Sequence, residues 1–347
     1  MKLWFVSLVS VGLLASCGKK KEEGATGTNA GGGATINGSG STFQKTFQEV
    51  AIEGYTKAHP GTKINYGGGG SGKGRQDFAD MVTDYGCSDG TFKDEEKAKI
   101  KGGEFVYVPI LLGAATLSYN LAGVDKLQLS AETIAKIFQR EIKKWDDPAI
   151  AADNPNVKLP ATDIIVAHRS DGSGTTQNFT KYLDKAAGGA WKLKSGSTVE
   201  WPSDTQAGNG NSGVAQIVKS TAGAIGYVDL PDAKASGLKY ASVKNAAGKY
   251  IEPSVASAQA AGEKLEVKDD ATFDPINAAG DAAYPITMPT WCMAYVKAAD
   301  ATKGAAVKAY FQYMVTDGQK LLAEIDYAAL PKPLQDKAVA QVAKITP

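Results

Sequence analysis

The residues best suited to chemistry in this chain form one short polar run, Arg169-Ser170-Asp171-Gly172-Ser173-Gly174-Thr175-Thr176. Glycines at 172 and 174 let the backbone approach a ligand closely. Ser173, Thr175 and Thr176 supply hydroxyl donors, and Arg169 supplies a planar, permanently charged fork suited to tetrahedral oxyanions. The run lies between Ile164, Ile165, Val166 and Ala167, read as a strand, and Phe179, Tyr182, Leu183 and Ala186 at helical spacing. A helix starting there leaves its first amides unpaired, with partial positive charge at that end, so the run is an anion site in outline. For this loop alone, hydroxyls that merely cap the helix and an Arg169–Asp171 surface pair explain the residues equally well.

What moves the balance is recurrence. Ile36-Asn37-Gly38-Ser39-Gly40-Ser41-Thr42-Phe43 leads into a helix with Phe43, Phe47, Val50, Ala51 and Tyr55 on one face, ending near His59-Pro60-Gly61. A strand over 62–66 then meets a run of glycines with Ser71 and Lys73, followed by a helix through Phe78, Met81 and Val82. Gly67 to Lys73 nearly spells a nucleotide-phosphate loop, but Gly74 stands where a magnesium-holding hydroxyl is needed. Tyr85-Gly86-Cys87-Ser88-Asp89 delivers a carboxylate at the end of a short strand.

With 347 residues the chain can bury a large core and should form about two domains. Its formal charge of +1 offers no broad field for nucleic acid, so any recognition by charge is local. The apolar run 3–15 is too short to span a bilayer and reads as a secretory signal. It ends in Leu14-Ala15-Ser16-Cys17, which looks like a bacterial lipobox with Cys17 as the lipid-bearing anchor. Residues 18–35 read as a flexible tether, and the folded body should begin near Ile36. Cys87 and Cys292 lie in apolar segments, where a disulfide and two buried thiols are equally good readings.

Farther along, a Lys/Glu-rich helix is expected over 93–101, strands over 105–109 and 114–120, and a helix over 127–138. Lys143-Lys144-Trp145-Asp146-Asp147 is expected to be exposed. A helix over 214–219 precedes a strand in Gly223-Ala224-Ile225-Gly226-Tyr227-Val228, while residues 235–280 carry no recognisable chemistry. A strand over 290–296 and helices over 304–315 and 318–324 close the chain. Crossovers near Pro109 and Tyr284-Pro285-Ile286-Thr287 suggest a hinge with a cleft between lobes. His168 is expected to be a strand-end side chain, and no His/Cys/carboxylate set has metal spacing.

The segments GSGSTF, INYGGGGSGKG, YGCSD, KKWDDPAI, RSDGSGTT, GNGNSGVA, GAIGYV and YPIT occur in the order seen in the phosphate-binding subunit of Pst-type ABC importers, which the chain resembles from about residue 36 to 330. The resemblance implies an α/β, two-lobed periplasmic-binding-protein fold (type II), with a mixed sheet flanked by helices in each lobe. Residues 36–109 and 286–347 would form one lobe, and 110–285 the other. By resemblance the phosphate contacts map to Thr42, Phe43, Ser71 and Asp89 from the first lobe and Arg169, Asp171, Ser173, Gly174 and Thr175 from the second. Where the family often has two serines after the glycines, this chain has Ser71-Gly72-Lys73, and Lys73 is expected to point to water. The implied partners are inorganic phosphate, the permease and ATPase subunits of an importer, and a membrane through lipidated Cys17. No cofactor, metal or nucleic acid is implied, and the chain is expected to act as a monomer.

An ionised carboxylate has acceptors only, so Asp89 is expected to accept from a protonated oxygen of phosphate and to disfavour sulfate, which carries no proton near neutral pH. Asp171 is expected to orient Arg169 rather than touch the anion. Readings kept beside this one are an exported phosphatase and a binding protein for another oxyanion.

Overall fold

The computed structural model describes residues 33–347. The expected signal, Cys17 and nearly all of the tether lie outside the described residues. The folded body is already formed slightly before Ile36: a strand begins at Thr35, and Ala34 is buried, its carbonyl accepting from Lys63 N at 2.8 Å.

The main sheet runs, edge to edge, through the strands Lys63–Gly68, Thr35–Gly40, Tyr85–Ser88, Thr287–Tyr295, Phe105–Tyr119, Ala224–Asp229, Ile165–Arg169 and Gln206–Gly208. The first three are parallel, as are the last three, and the two central strands run antiparallel to their neighbours. Each parallel set is therefore built from strand–loop–helix units whose carboxyl ends carry the loops, the place where such sheets bind ligands. With helices covering these units, the fold is α/β and two-lobed.

The long strand Phe105–Tyr119 joins the two sets. Through Ala114 it pairs with Thr287–Tyr295, and from Ala115 onward it pairs with Ala224–Asp229. Two strands were expected here, with a crossover between lobes near Pro109. The strand nonetheless continues, since Pro109 sits opposite Trp291 at the register shift between Thr290 and Trp291, where a bulge tolerates the missing N–H.

Other departures have local causes. The expected helix over 93–101 is one turn, Asp94–Lys97, because its Glu and Lys residues give it no face to bury. The helix Ser71–Ala79 stops before Met81, whose φ of 60° turns the chain, leaving Met81 and Val82 exposed. Trp145 is fully buried rather than exposed: its indole N–H donates to Gly223 O at 3.0 Å, while Lys143, Lys144 and Asp146 around it stay at the surface. A terminal helix, Lys332–Ala343, lies beyond the helices expected from the sequence and buries Leu334, Ala338 and Val342.

Candidate functional site

Four loops at strand ends meet. Thr35–Gly40 runs into Ser41-Thr42-Phe43, Lys63–Gly68 into the helix starting at Ser71, Tyr85–Ser88 into Asp89, and Ile165–Arg169 into the helix Gly174–Ala186. Those helices begin at the loops for the reason the sequence suggests: small residues and hydroxyls occupy the entry, and apolar residues follow at helical spacing.

Asp89 is buried, and its carboxylate oxygens are used unequally. Oδ1 accepts from Ser41 Oγ at 2.5 Å and from Thr290 Oγ1 at 2.7 Å. Among the described residues Oδ2 accepts only from Ser71 Oγ, at 3.1 Å, and Ser71 in turn accepts from Asp89 N at 3.0 Å. Behind Thr290, Gln44 Nε2 donates to Thr290 Oγ1 at 2.6 Å, which leaves the threonine proton for Asp89. Burial pushes the Asp89 carboxyl above its ordinary value, opposed by the Ser41, Thr290 and Ser71 hydrogen bonds and then by the charge of Arg169. With two acceptor sites on each oxygen, Oδ1 is filled and Oδ2 keeps one.

Arg169, the last residue of the strand Ile165–Arg169, is buried. Its Nε–H donates to Asp171 Oδ1 at 2.8 Å and a second N–H to Oδ2, a fork-to-fork pair. A third nitrogen reaches Thr175 Oγ1 and Asn211 Oδ1, both at 3.4 Å. Asp171 also accepts from Gly210 N at 3.1 Å. Burial alone would raise the Asp171 carboxyl, and the Arg169 pair more than offsets it, holding it below the usual range. Ser173 caps its helix, accepting from Thr176 N at 3.0 Å, as the capping reading of this loop anticipates, and its own proton remains to be donated. Tyr227 OH lies under the loop, accepting from Arg169 N at 3.0 Å and lying 2.7 Å from Thr176 Oγ1.

The two halves of the cradle touch. Gly72 N donates to Gly172 O at 2.8 Å. Asn178 Nδ2 donates to Asp89 O at 2.6 Å, and Asn211 donates to Thr42 Oγ1 from its amide at 3.4 Å and from Nδ2 at 3.3 Å. Gly70 has φ +87°, and a Cβ there would lie 2.2 Å from Asp171 Oδ2, so both its conformation and its neighbour require glycine. What converges on this point is a buried guanidinium, several hydroxyls, helix-start amides and one carboxylate with a spare acceptor, the donors and the acceptor that a protonated oxyanion would need.

A PBP superfamily domain model matches residues 25–318. Phosphate-binding protein PstS of Xylella fastidiosa strain 9a5c is 33% identical, covering 96% of this chain and 96% of its own length. The same-named protein of Pasteurella multocida is 36% identical over 88% of this chain and 89% of its own. The chain belongs to the PstS family of the PBP superfamily. Among solved structures, a phosphate-binding protein from Stenotrophomonas maltophilia matches with a TM-score of 0.69 and 20% identity over 88% of this chain and 93% of that one. A high affinity periplasmic phosphate-binding protein bound with phosphate, PfluDING, gives 0.72 and 21% over the same shares. These two share the fold.

In this PstS-family chain, Phe43 is linked through Ser41 to Asp89, Ser71 bonds Asp89, Thr42 is linked through Asn211 to Arg169, and Arg169 bonds Asp171 and Thr175, while Gly174 faces Ser71 and Asp89 and Ser173 caps the Gly174 helix. Sequence reasoning missed Ser41, Thr290, Asn178 and Asn211 as site residues. Asn211 carries a readable signal, since it opens the helix Gly210–Ser220 after a Gly/Asn run. Thr290 carries none, because its partner lies 201 residues away in sequence. Lys73 points outward, as expected, and pairs with Asp77 at 2.8 Å on its own helix. His168 is a strand-end side chain held by Arg169 O and Thr205 Oγ1.

Proposed function

We propose that this chain is an extracytoplasmic substrate-binding protein that captures inorganic phosphate between its lobes and delivers it to an ABC import permease. The lobes are read as residues 36–109 with 286–347, and residues 110–285. The observation that carries the reading is Asp89 Oδ2, a buried acceptor with one free site among oxyanion donors. Thr42, Phe43, Ser71 and Asp89 contribute from one lobe and Arg169, Ser173, Gly174 and Thr175 from the other. Bridging both lobes by one ion favours the closed form. Loss of water by phosphate and by the loops holds the net affinity well below the sum of these contacts.

A hydrolytic role is disfavoured. Ser71 and Ser173 are the candidate nucleophiles, and the chain's two histidines are engaged elsewhere, His59 on Tyr55 O and His168 on Arg169 O and Thr205. The fuller reading places a lipid on Cys17 and the protein on the outer face of a bacterial membrane, working as a monomer with the permease and ATPase of a Pst-type importer. Among the described residues no helix is long and apolar enough to cross a membrane. Isothermal titration with phosphate, arsenate, sulfate and molybdate is the test. Phosphate and arsenate should bind and sulfate should not; sulfate or molybdate as the tightest ligand would refute the reading.

Asp171 acts by holding the Arg169 fork in place before the ion arrives. Asp171→Asn loses the charge-assisted pair but also removes a negative charge from the neighbourhood of an anion, and the two effects partly cancel. The expected result is phosphate binding weakened by about three- to tenfold in the same titration. Unchanged affinity would make the pair purely structural.

A further inference from the structure

Cys87 lies on Tyr85–Ser88 and Cys292 on Thr287–Tyr295, directly opposite each other in the antiparallel pairing. Both are fully buried, with sulfurs 2.8 Å apart, and neither takes part in the anion cradle. The Cys87 carbonyl accepts from Ser41 N at 3.0 Å, on the side of the strand away from Cys292. A strand residue points its N–H and C=O the same way, so Cys87 and Cys292 form a non-hydrogen-bonded pair. Opposed side chains approach closest in such pairs, with Cα atoms about 4.5 Å apart, within the span of a disulfide. Two residues along each strand stand Asp89 and Thr290, themselves joined at 2.7 Å.

We propose that Cys87 and Cys292 close to a disulfide as the chain folds outside the cytoplasm, stapling the strand that presents Asp89 to the strand that presents Thr290. The proposal takes its oxidant from the extracytoplasmic reading. The partner is a disulfide, either that of an oxidising protein or that of oxidised glutathione. One cysteine attacks it as thiolate, and the other then displaces the partner from the mixed disulfide. The Cys87–Cys292 bond forms as the partner's S–S bond breaks, and two electrons and two protons leave with the partner as two thiols. Cys17, when it carries lipid, is withdrawn from this exchange, leaving an even pair. Burial raises the Cys87 thiol well above its ordinary value, so the attacking thiolate is available while the chain folds and scarce once the strands have paired. The cysteines are 205 residues apart, and a bridge across so long a loop restricts the unfolded chain strongly.

The test unfolds and reduces the full chain, refolds it in mixed reduced and oxidised glutathione, then adds denaturant and excess alkylating agent. Cys87 and Cys292 should resist alkylation until reductant is added, and proteolysis should give one linked peptide pair. Reduction should lower Tm by roughly 10 °C. Two alkylated thiols in the refolded protein would overturn the proposal. So would a Cys292→Ala variant whose Tm still falls with reductant; if that variant does not fold, alkylation of the unaltered chain decides. Phosphate titration of the same sample separates the two readings. A bridged protein that ignores phosphate sinks the phosphate reading alone, and a phosphate binder with both thiols free sinks the bridge alone.

Discussion

Replacing Asp89 by Asn is expected to improve sulfate binding relative to phosphate by about ten- to a hundredfold, measured as the ratio of the two affinities in parallel titrations. The carboxylate takes hydrogens on Oδ1 from Ser41 and Thr290, which fixes its orientation and leaves the open acceptor on Oδ2, the oxygen nearest Gly174. On the proposed reading, phosphate fills that acceptor with its own proton. Sulfate brings only lone pairs and meets a buried negative charge. A buried hydrogen bond involving a charged group is worth roughly 1.5 to 3 kcal/mol, and each 1.4 kcal/mol is about tenfold, which sets the size of the effect. The asparagine amide can instead donate, so the penalty against sulfate falls while phosphate loses its charged acceptor. Acid should act on the unaltered protein in the same direction. Burial sets the Asp89 carboxyl above the ordinary aspartate value, so as pH falls through that raised value the group gains a proton and turns from acceptor to donor. Sulfate should therefore compete better at acidic pH in the native chain, and the Asn variant should have lost that dependence. A ratio unchanged by both the substitution and the acid would remove Asp89 from the selection of the ion.

The parts of this site legible in the sequence are those fixed by local physics. Glycines and hydroxyls between an apolar stretch and a helical period mark a strand-end loop with free amides wherever they occur, and the loops at Thr42, Ser71 and Arg169 were found that way. Thr290 was illegible because its role depends on which residue the return strand sets beside Asp89, and that register comes from its antiparallel pairing with Tyr85–Ser88, far away in sequence. Trp145 misled for a related reason: four charged neighbours make the run look solvated, yet the indole is anchored by Gly223 O, 78 residues away. The unbroken strand Phe105–Tyr119 was hidden by a proline whose missing donor matters only if a partner needs it. Local chemistry thus announced the loops, while the partners that hold them came from long-range pairing.

The closing of the two lobes can be tested without touching a single donor. Gly174 is the first residue of its helix, and a Cβ built there would lie 2.4 Å from Ser71 Oγ, 2.5 Å from Asp89 Oδ2 and 2.6 Å from Asp89 Cβ. Contacts this short do not occur, and the obstacle includes the Asp89 stem rather than only the tip of a flexible side chain. The helix has no objection to alanine, which is about 1 kcal/mol better than glycine in helix interiors. The strain therefore falls on the gap between the 169–175 loop and Asp89, and it is relieved by holding the lobes apart. Opening that gap by even an ångström stretches hydrogen bonds of about 3 Å, such as Gly72 N to Gly172 O, past useful length. It also draws the Arg169 group away from Asp89 Oδ2, so no position lets one phosphate reach both. Gly174→Ala is accordingly expected to lower phosphate affinity by a hundredfold or more, with only a modest fall in Tm from the lost contacts between the lobes. Titration calorimetry and thermal unfolding read the two effects separately. Tight phosphate binding by that variant would mean that the ion does not need both lobes at once.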